Sequence, residues 1–105
     1  MISRTWHGRV PRSASDAYLE LLRRTGIPDS VATPGNRGAL VLRRHEGETT
    51  HFVMTTFWDS VEAIRDIAGD DVERARYYAE DDGFLLEKEP FVVHHEVVER
   101  RETRP

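Results

Sequence analysis

The 105-residue chain contains no cysteine, which excludes disulfides, thiolate nucleophiles, iron–sulfur clusters and cysteine-based zinc sites. It also lacks any apolar run approaching the roughly 20 residues of a membrane helix. Residues 1–6 lead straight into strand-like sequence without an apolar signal core, so a cytoplasmic protein is expected. Positive charge is scarce: 15 Lys and Arg stand against 19 Asp and Glu, for a net charge of −4. That balance argues against nucleic acid as a partner, and the pairs Arg43-Arg44 and Arg100-Arg101 read as solvated strand ends. There is no Gly-rich phosphate loop, nucleophile elbow or Ser/His/Asp spacing. The histidines show no HxH or HExxH spacing, so no metal site is expected, although His7, His51 and His94 or His95 are the residues that would build one.

What is present fits one small soluble domain with a single modest core. Residues 2–10 alternate and contain Ile, Thr, Trp and Val, which suits a strand that Pro11 closes. Ser13 or Ser15 then caps a helix whose apolar positions Ala14, Ala17, Tyr18, Leu21 and Leu22 recur at three and four, with Gly26 and Pro28 ending it. Residues 27–37 hold two prolines and a Pro-Gly pair and read as an irregular connector, long enough to serve as a lid over a cleft. Residues 38–45 and 49–58 form a hairpin around His45-Glu46-Gly47-Glu48.

At Trp58 the apolar period changes from that of a strand to that of a helix. Asp59 or Ser60 caps the new helix, and Val61, Ile64, Ala68 and Val72 share its apolar face. A break near Gly69-Asp70-Asp71 precedes a second helical segment through Val72, Ala75, Tyr78 and Ala79 to about Glu80. A final strand lies within residues 91–98, and residues 99–105 form a charged, frayed tail. The order strand, helix, strand, strand, helix, strand is the ferredoxin-like α+β plan, an antiparallel sheet with helices on one face. Leu40-Val41-Leu42 and Phe52-Val53-Met54 are apolar on consecutive residues, so both sheet faces need cover. A second copy of the chain is the simplest cover for the helix-free face, which predicts a homodimer with sheets packed face to face.

The segment Phe57-Trp58-Asp59-Ser60-Val61-Glu62-Ala63-Ile64, followed by Ala68-Gly69-Asp70-Asp71, resembles the antibiotic biosynthesis monooxygenase-like family of the dimeric α+β barrel superfamily. The likeness spans roughly residues 1–98. It implies a small-molecule cleft between sheet and helices in each subunit, and oxidation of aromatic or quinol-like substrates without metal, flavin or other cofactor. Trp58 falls where such enzymes place a tryptophan beside the substrate. Their supporting Asn, Tyr and Arg would fall on Met54, Ile64 and Tyr78. In the haem-degrading relatives the iron-ligating histidine, a tryptophan and an asparagine would fall on Tyr77, Ile67 and about His7, so haem breakdown is not expected.

Histidine is the side chain best suited to move protons near neutral pH. His7 and His94 lie on strands that this plan makes neighbours, and if both face the helices they bracket one ligand. His7 is the preferred catalytic base, because Trp6 and Thr5 beside it are expected to enclose its surroundings; removing a phenolic proton would create the electron-rich anion that oxygen attacks. His94 and His95 cannot both serve one pocket, because adjacent strand residues point to opposite faces. Trp58, Tyr78, His94 and Asn36 complete the expected substrate site. Asn36 also suits a turn within Pro34-Gly35-Asn36-Arg37-Gly38. Two other readings remain open: a dimer that binds a small molecule or supports an assembly without catalysis, and a proton-transfer or cyclising enzyme using His7 and His94 as an acid/base pair.

Overall fold

The computed structural model describes residues 1–103. Four strands, β1 (Ile2–Pro11), β2 (Asn36–Glu46), β3 (Thr49–Trp58) and β4 (Val93–Glu96), form one antiparallel sheet in the order β2-β3-β1-β4. Helices α1 (Ser15–Arg24), α2 (Gly26–Ala32) and α3 (Val61–Ala68) complete the α+β, ferredoxin-like architecture. The strand-to-strand turn is tighter than expected, with only Gly47 and Glu48 between β2 and β3; Gly47 takes the left-handed φ of 56° that such a turn demands.

Alternation along the strands sorts side chains onto two unlike faces. On β3 each even-numbered residue from Thr50 to Trp58 is buried and each odd-numbered one only half-buried. Val10 and Phe52 from the sheet pack with Tyr18, Leu21 and Leu22 of α1 to make the core. The three-and-four spacing of the α1 residues aims them at the same sheet face.

Three local expectations are corrected and a fourth, the choice between Asp59 and Ser60 as the cap of α3, is resolved. The stretch read as an irregular connector begins with α2, whose Pro28 occupies the first turn, where its missing N–H leaves no broken bond. Neither Ser13 nor Ser15 caps α1; a 3-10 turn at Arg12–Ala14 leads into it, and buried Ser15 accepts from Arg43 Nη1 at 3.0 Å. The cap of α3 is Ser60, whose Oγ accepts from Ala63 N at 3.2 Å, while Asp59 pairs with Arg37 at 2.6 Å. Lastly, residues 72–80 form no α-helix. Backbone bonds from Ala75 to Pro90 and from Val92 to Glu73, each 2.8 Å, hold that stretch as an extended ribbon, followed by a 3-10 turn at Ala79–Gly83. Its helical spacing is real, but long-range pairing outweighs so weak a local preference.

The final strand is shorter than the expected 91–98. Past it the chain has no regular structure as far as Thr103, and Arg100 lies 5.6 Å over the Phe57 ring. Residues 104–105 of the expected tail lie outside the described residues. No helix among the described residues is long and apolar enough to cross a membrane.

Candidate functional site

A cavity of about 90 Å³ opens between the helix-covered sheet face and the elements packed on it. Its floor is Arg4 and Trp6 of β1 with Met54, Thr56 and Trp58 of β3, all on the inward register of the sheet. Tyr18, Leu22, Gly26 and Ser30 from the first two helices make one wall, and Ile67 of α3 faces them. The remaining side is the ribbon around Arg76, Tyr77, Tyr78 and Asp81.

That ribbon is stitched over the cleft by side chains. Tyr78 donates to Asp29 of α2, Arg76 Nη1 donates to the Ile67 carbonyl of α3 at 2.5 Å, and Asp81 accepts from Tyr18 of α1 at 3.0 Å. Tyr77 closes the set: its hydroxyl accepts from Trp6 Nε1 at 3.1 Å and donates to the Glu89 carbonyl at 2.6 Å. A helix here would turn some of these residues away, whereas an extended strap delivers them all to one cavity. Burial raises the ionisation range of Tyr18, Tyr77 and Tyr78, and the carboxylates beside Tyr18 and Tyr78 raise it further. All three present neutral hydroxyls at neutral pH.

Trp58 has no exposure, and its Nε1 donates to Thr56 Oγ1 at 2.8 Å. Its one polar atom is thus satisfied from below and it offers the cleft an apolar surface. Asp81 is buried too, and its second oxygen accepts from the Tyr78 N–H at 2.8 Å.

Arg4 is the unusual member. It is 9% exposed, and no carboxylate among the described residues lies within ion-pairing distance of it. Its guanidinium donates to the Val72 carbonyl and, at 2.9 Å, to the Arg74 carbonyl, and Nη1 stands 3.3 Å from His94 Nε2. Burial lowers its ionisation range, yet a guanidinium stays charged in proteins. Burial, and secondarily the Arg4 charge, lower the range of His94, which favours the neutral imidazole.

Of the residues singled out from sequence, Trp58 and Tyr78 line this cavity; His94 does not, but stands against Arg4, which does. Asn36 does not line it: its Oδ1 accepts from Gly38 N at 2.8 Å, shaping a bulge opposite Trp58. His7 is the principal correction. It pairs with Val53 on the opposite register and faces the helix-free side, where it bonds Glu89 and stands 2.9 Å from His51 Nδ1. Trp6 faces the cleft, so its neighbour in an extended strand must face away. His7 and His94 therefore do not bracket one ligand. The residues missed were Arg4, Arg76 and Asp81; nothing in the local sequence distinguishes Arg4 from Arg9 on the same strand.

No protein-family model matches the chain, and neither does any curated protein. Solved structures do. A protein from Nitrosomonas europaea proposed by its name to be an antibiotic biosynthesis monooxygenase superposes with a TM-score of 0.65 at 16% identity, over 94% of this chain and 100% of its own. One so named from Bacillus cereus gives 0.61 at 19% identity, over 100% and 97%. The heme-degrader MhuD from Mycobacterium tuberculosis, solved with two hemes in its active site, gives 0.61 at 22% identity, over 97% and 100%. Over nearly its whole length the chain has the ferredoxin-like fold of these antibiotic biosynthesis monooxygenase-like proteins.

Proposed function

We propose that the chain binds a flat, oxygen-bearing aromatic molecule in this cleft and, as a homodimer, oxidises it with dioxygen and no bound cofactor. The observation that carries this reading is the convergence of Trp58 and Tyr78, from distant parts of the chain, on one cavity lined by further aromatic rings. Trp58 contributes to the apolar floor, and the hydroxyls of Tyr18 and Tyr78, whose own protons go to Asp81 and Asp29, can accept from a hydroxyl on the ring. Overall, one oxygen atom of O2 would replace a ring C–H as a new carbonyl and the phenolic C–O would become a second, while the other oxygen atom leaves as water with that ring hydrogen and the phenolic proton, which passes through solvent. The names of the structural neighbours support an oxygenase.

Heme is a poor fit. The resemblance drawn from the sequence puts Tyr77 at the position of the ligating histidine, and the Tyr77 hydroxyl is already bonded on both sides. The dimer is supported by the helix-free face, where Leu40, Leu42 and Val93 are each at least half exposed. A monomeric solution mass at micromolar concentration would remove that part.

Oxygen uptake with a dihydroxynaphthalene tests the chemistry. Uptake by the native protein that is lost in Met54→Trp, which fills the cleft, is the expected result, with His7→Ala unchanged. The second reading, a binder without catalysis, is favoured by a specific observation: both Asp81 oxygens and the Tyr77 hydroxyl are engaged, and no histidine lines the cavity. Binding without uptake would decide for it.

A further inference from the structure

From the unpaired guanidinium of Arg4 we infer that the cleft is an oxyanion site, which takes a small aromatic acid with its ionised oxygen, carboxylate or phenolate, on Arg4. The inference rests on the cleft being a small-molecule site and adds the charge and orientation of what it holds.

Most arginines of the chain sit at the surface beside an acid, as Arg9 does with Glu87 and Arg43 with Asp16. Arg4 is buried, lines the cavity, and meets only backbone carbonyls and one imidazole. A guanidinium carries five N–H donors, and the contacts to Val72, Arg74 and His94 use three of them. Carbonyl dipoles only partly replace the water that a buried cation has lost, so an anion bound here gains more than it would at the surface. The neutral imidazole of His94 beside it adds no competing negative charge.

The cavity holds a second charged group besides Arg4. Asp81, buried and held by Tyr18 and the Tyr78 N–H, lines it as well and lies beyond ion-pairing range of Arg4. A carboxylate repels an oxyanion and has lone pairs left to accept a hydroxyl. An aromatic acid is thus directed with its charged oxygen toward Arg4, its ring against Trp58, and any ring hydroxyl toward Asp81. Arg76 is the competing cation, but it is exposed and already bonded to the Ile67 carbonyl.

The test compares binding of 1-naphthoate, neutral 2-naphthalenemethanol and 4-nitrophenol, whose yellow anion reports its own ionisation, to the full-length chain by titration calorimetry and absorbance. The native protein should prefer naphthoate over the alcohol by about tenfold or more, as a charge-assisted hydrogen bond implies, or hold 4-nitrophenol as its anion. The first result identifies a carboxylate and the second a phenolate. Arg4→Gln should abolish that preference while still binding the alcohol, and Arg76→Gln should keep it. Equal naphthoate and alcohol affinities together with 4-nitrophenol bound in its neutral form, or a preference for either anion that survives Arg4→Gln, would overturn the inference while leaving the cleft reading intact. Failure of all three probes, neutral one included, would overturn both. Should Arg4→Gln not fold, magnetisation transfer between the Arg4 guanidinium protons and naphthoate in the native protein decides: contact supports the inference and its absence overturns it.

Discussion

The two faces of the sheet are made by the same strands and differ in almost every physical respect. The helix-covered face holds Val10, Phe52, Trp58 and Thr50 at no exposure, and its polar atoms are individually matched, as with the Trp58 N–H on Thr56. The other face carries half-exposed Leu40 and Leu42 beside a relay in which His7 joins Glu89 and His51, and His51 Nε2 lies 3.1 Å from Glu46. The difference shows that a histidine's neighbours in sequence say little about its surroundings in space. One residue of register separates the enclosed cleft from an open surface.

The contrast can be broken first in the core. Phe52→Ala should cost about 3–5 kcal/mol in urea unfolding, whereas Val53→Ala next to it should cost under about 1 kcal/mol. Similar losses at the two sites would mean that the outer face is as tightly packed as the inner one. Next comes Gly8→Ala. A β-carbon there would stand 2.4 Å from the Trp6 ring, so the indole must shift and stability should fall by about 1–3 kcal/mol, with a change in tryptophan fluorescence. Tyr18→Phe leaves the buried Asp81 oxygen without its donor and should lose about 1–3 kcal/mol, measured by thermal unfolding.

On the outer face, Leu42→Thr should change stability by less than about 0.5 kcal/mol in a monomer. A larger loss that depends on protein concentration would show that a second copy covers it. The smallest effect concerns pH. His94 has a folded ionisation range below its ordinary value of 6.5, so the unfolded chain binds the proton more readily. Its share of stability is present above about pH 6.5 and is lost as pH falls through the lower folded value. His94→Gln should therefore flatten the decline in melting temperature between about pH 7 and pH 5; an unchanged slope would assign it to other groups.

Much of the fold was legible because its signals are local. Alternation marked β1 and β3, the three-and-four spacing marked α1, and the change of period at Trp58 located the start of α3 within two residues. Helix α2 was obscured by Pro28, which breaks a helix in its interior but not in its first turn. The ribbon through residues 72–80 was misread because Val72, Ala75 and Tyr78 keep helical spacing while their backbone bonds with residues 90–92. Nothing local encodes that partnership.

The site divides along the same line. Residue types and spacing determined by themselves the α+β order of elements and that Trp58 would sit where sheet meets helix; the expectation of a cleft wall there came from the family resemblance. Only the tertiary structure decided which groups enter the cleft. Strand register sent Arg4 inward and His7 outward, and the folded strap brought Tyr78 and Asp81 across to Arg4 from more than seventy residues away. Hydrophobic period is a property of neighbours along the chain, whereas the meeting of an unpaired cation with an aromatic cavity is set by which distant segments pack together.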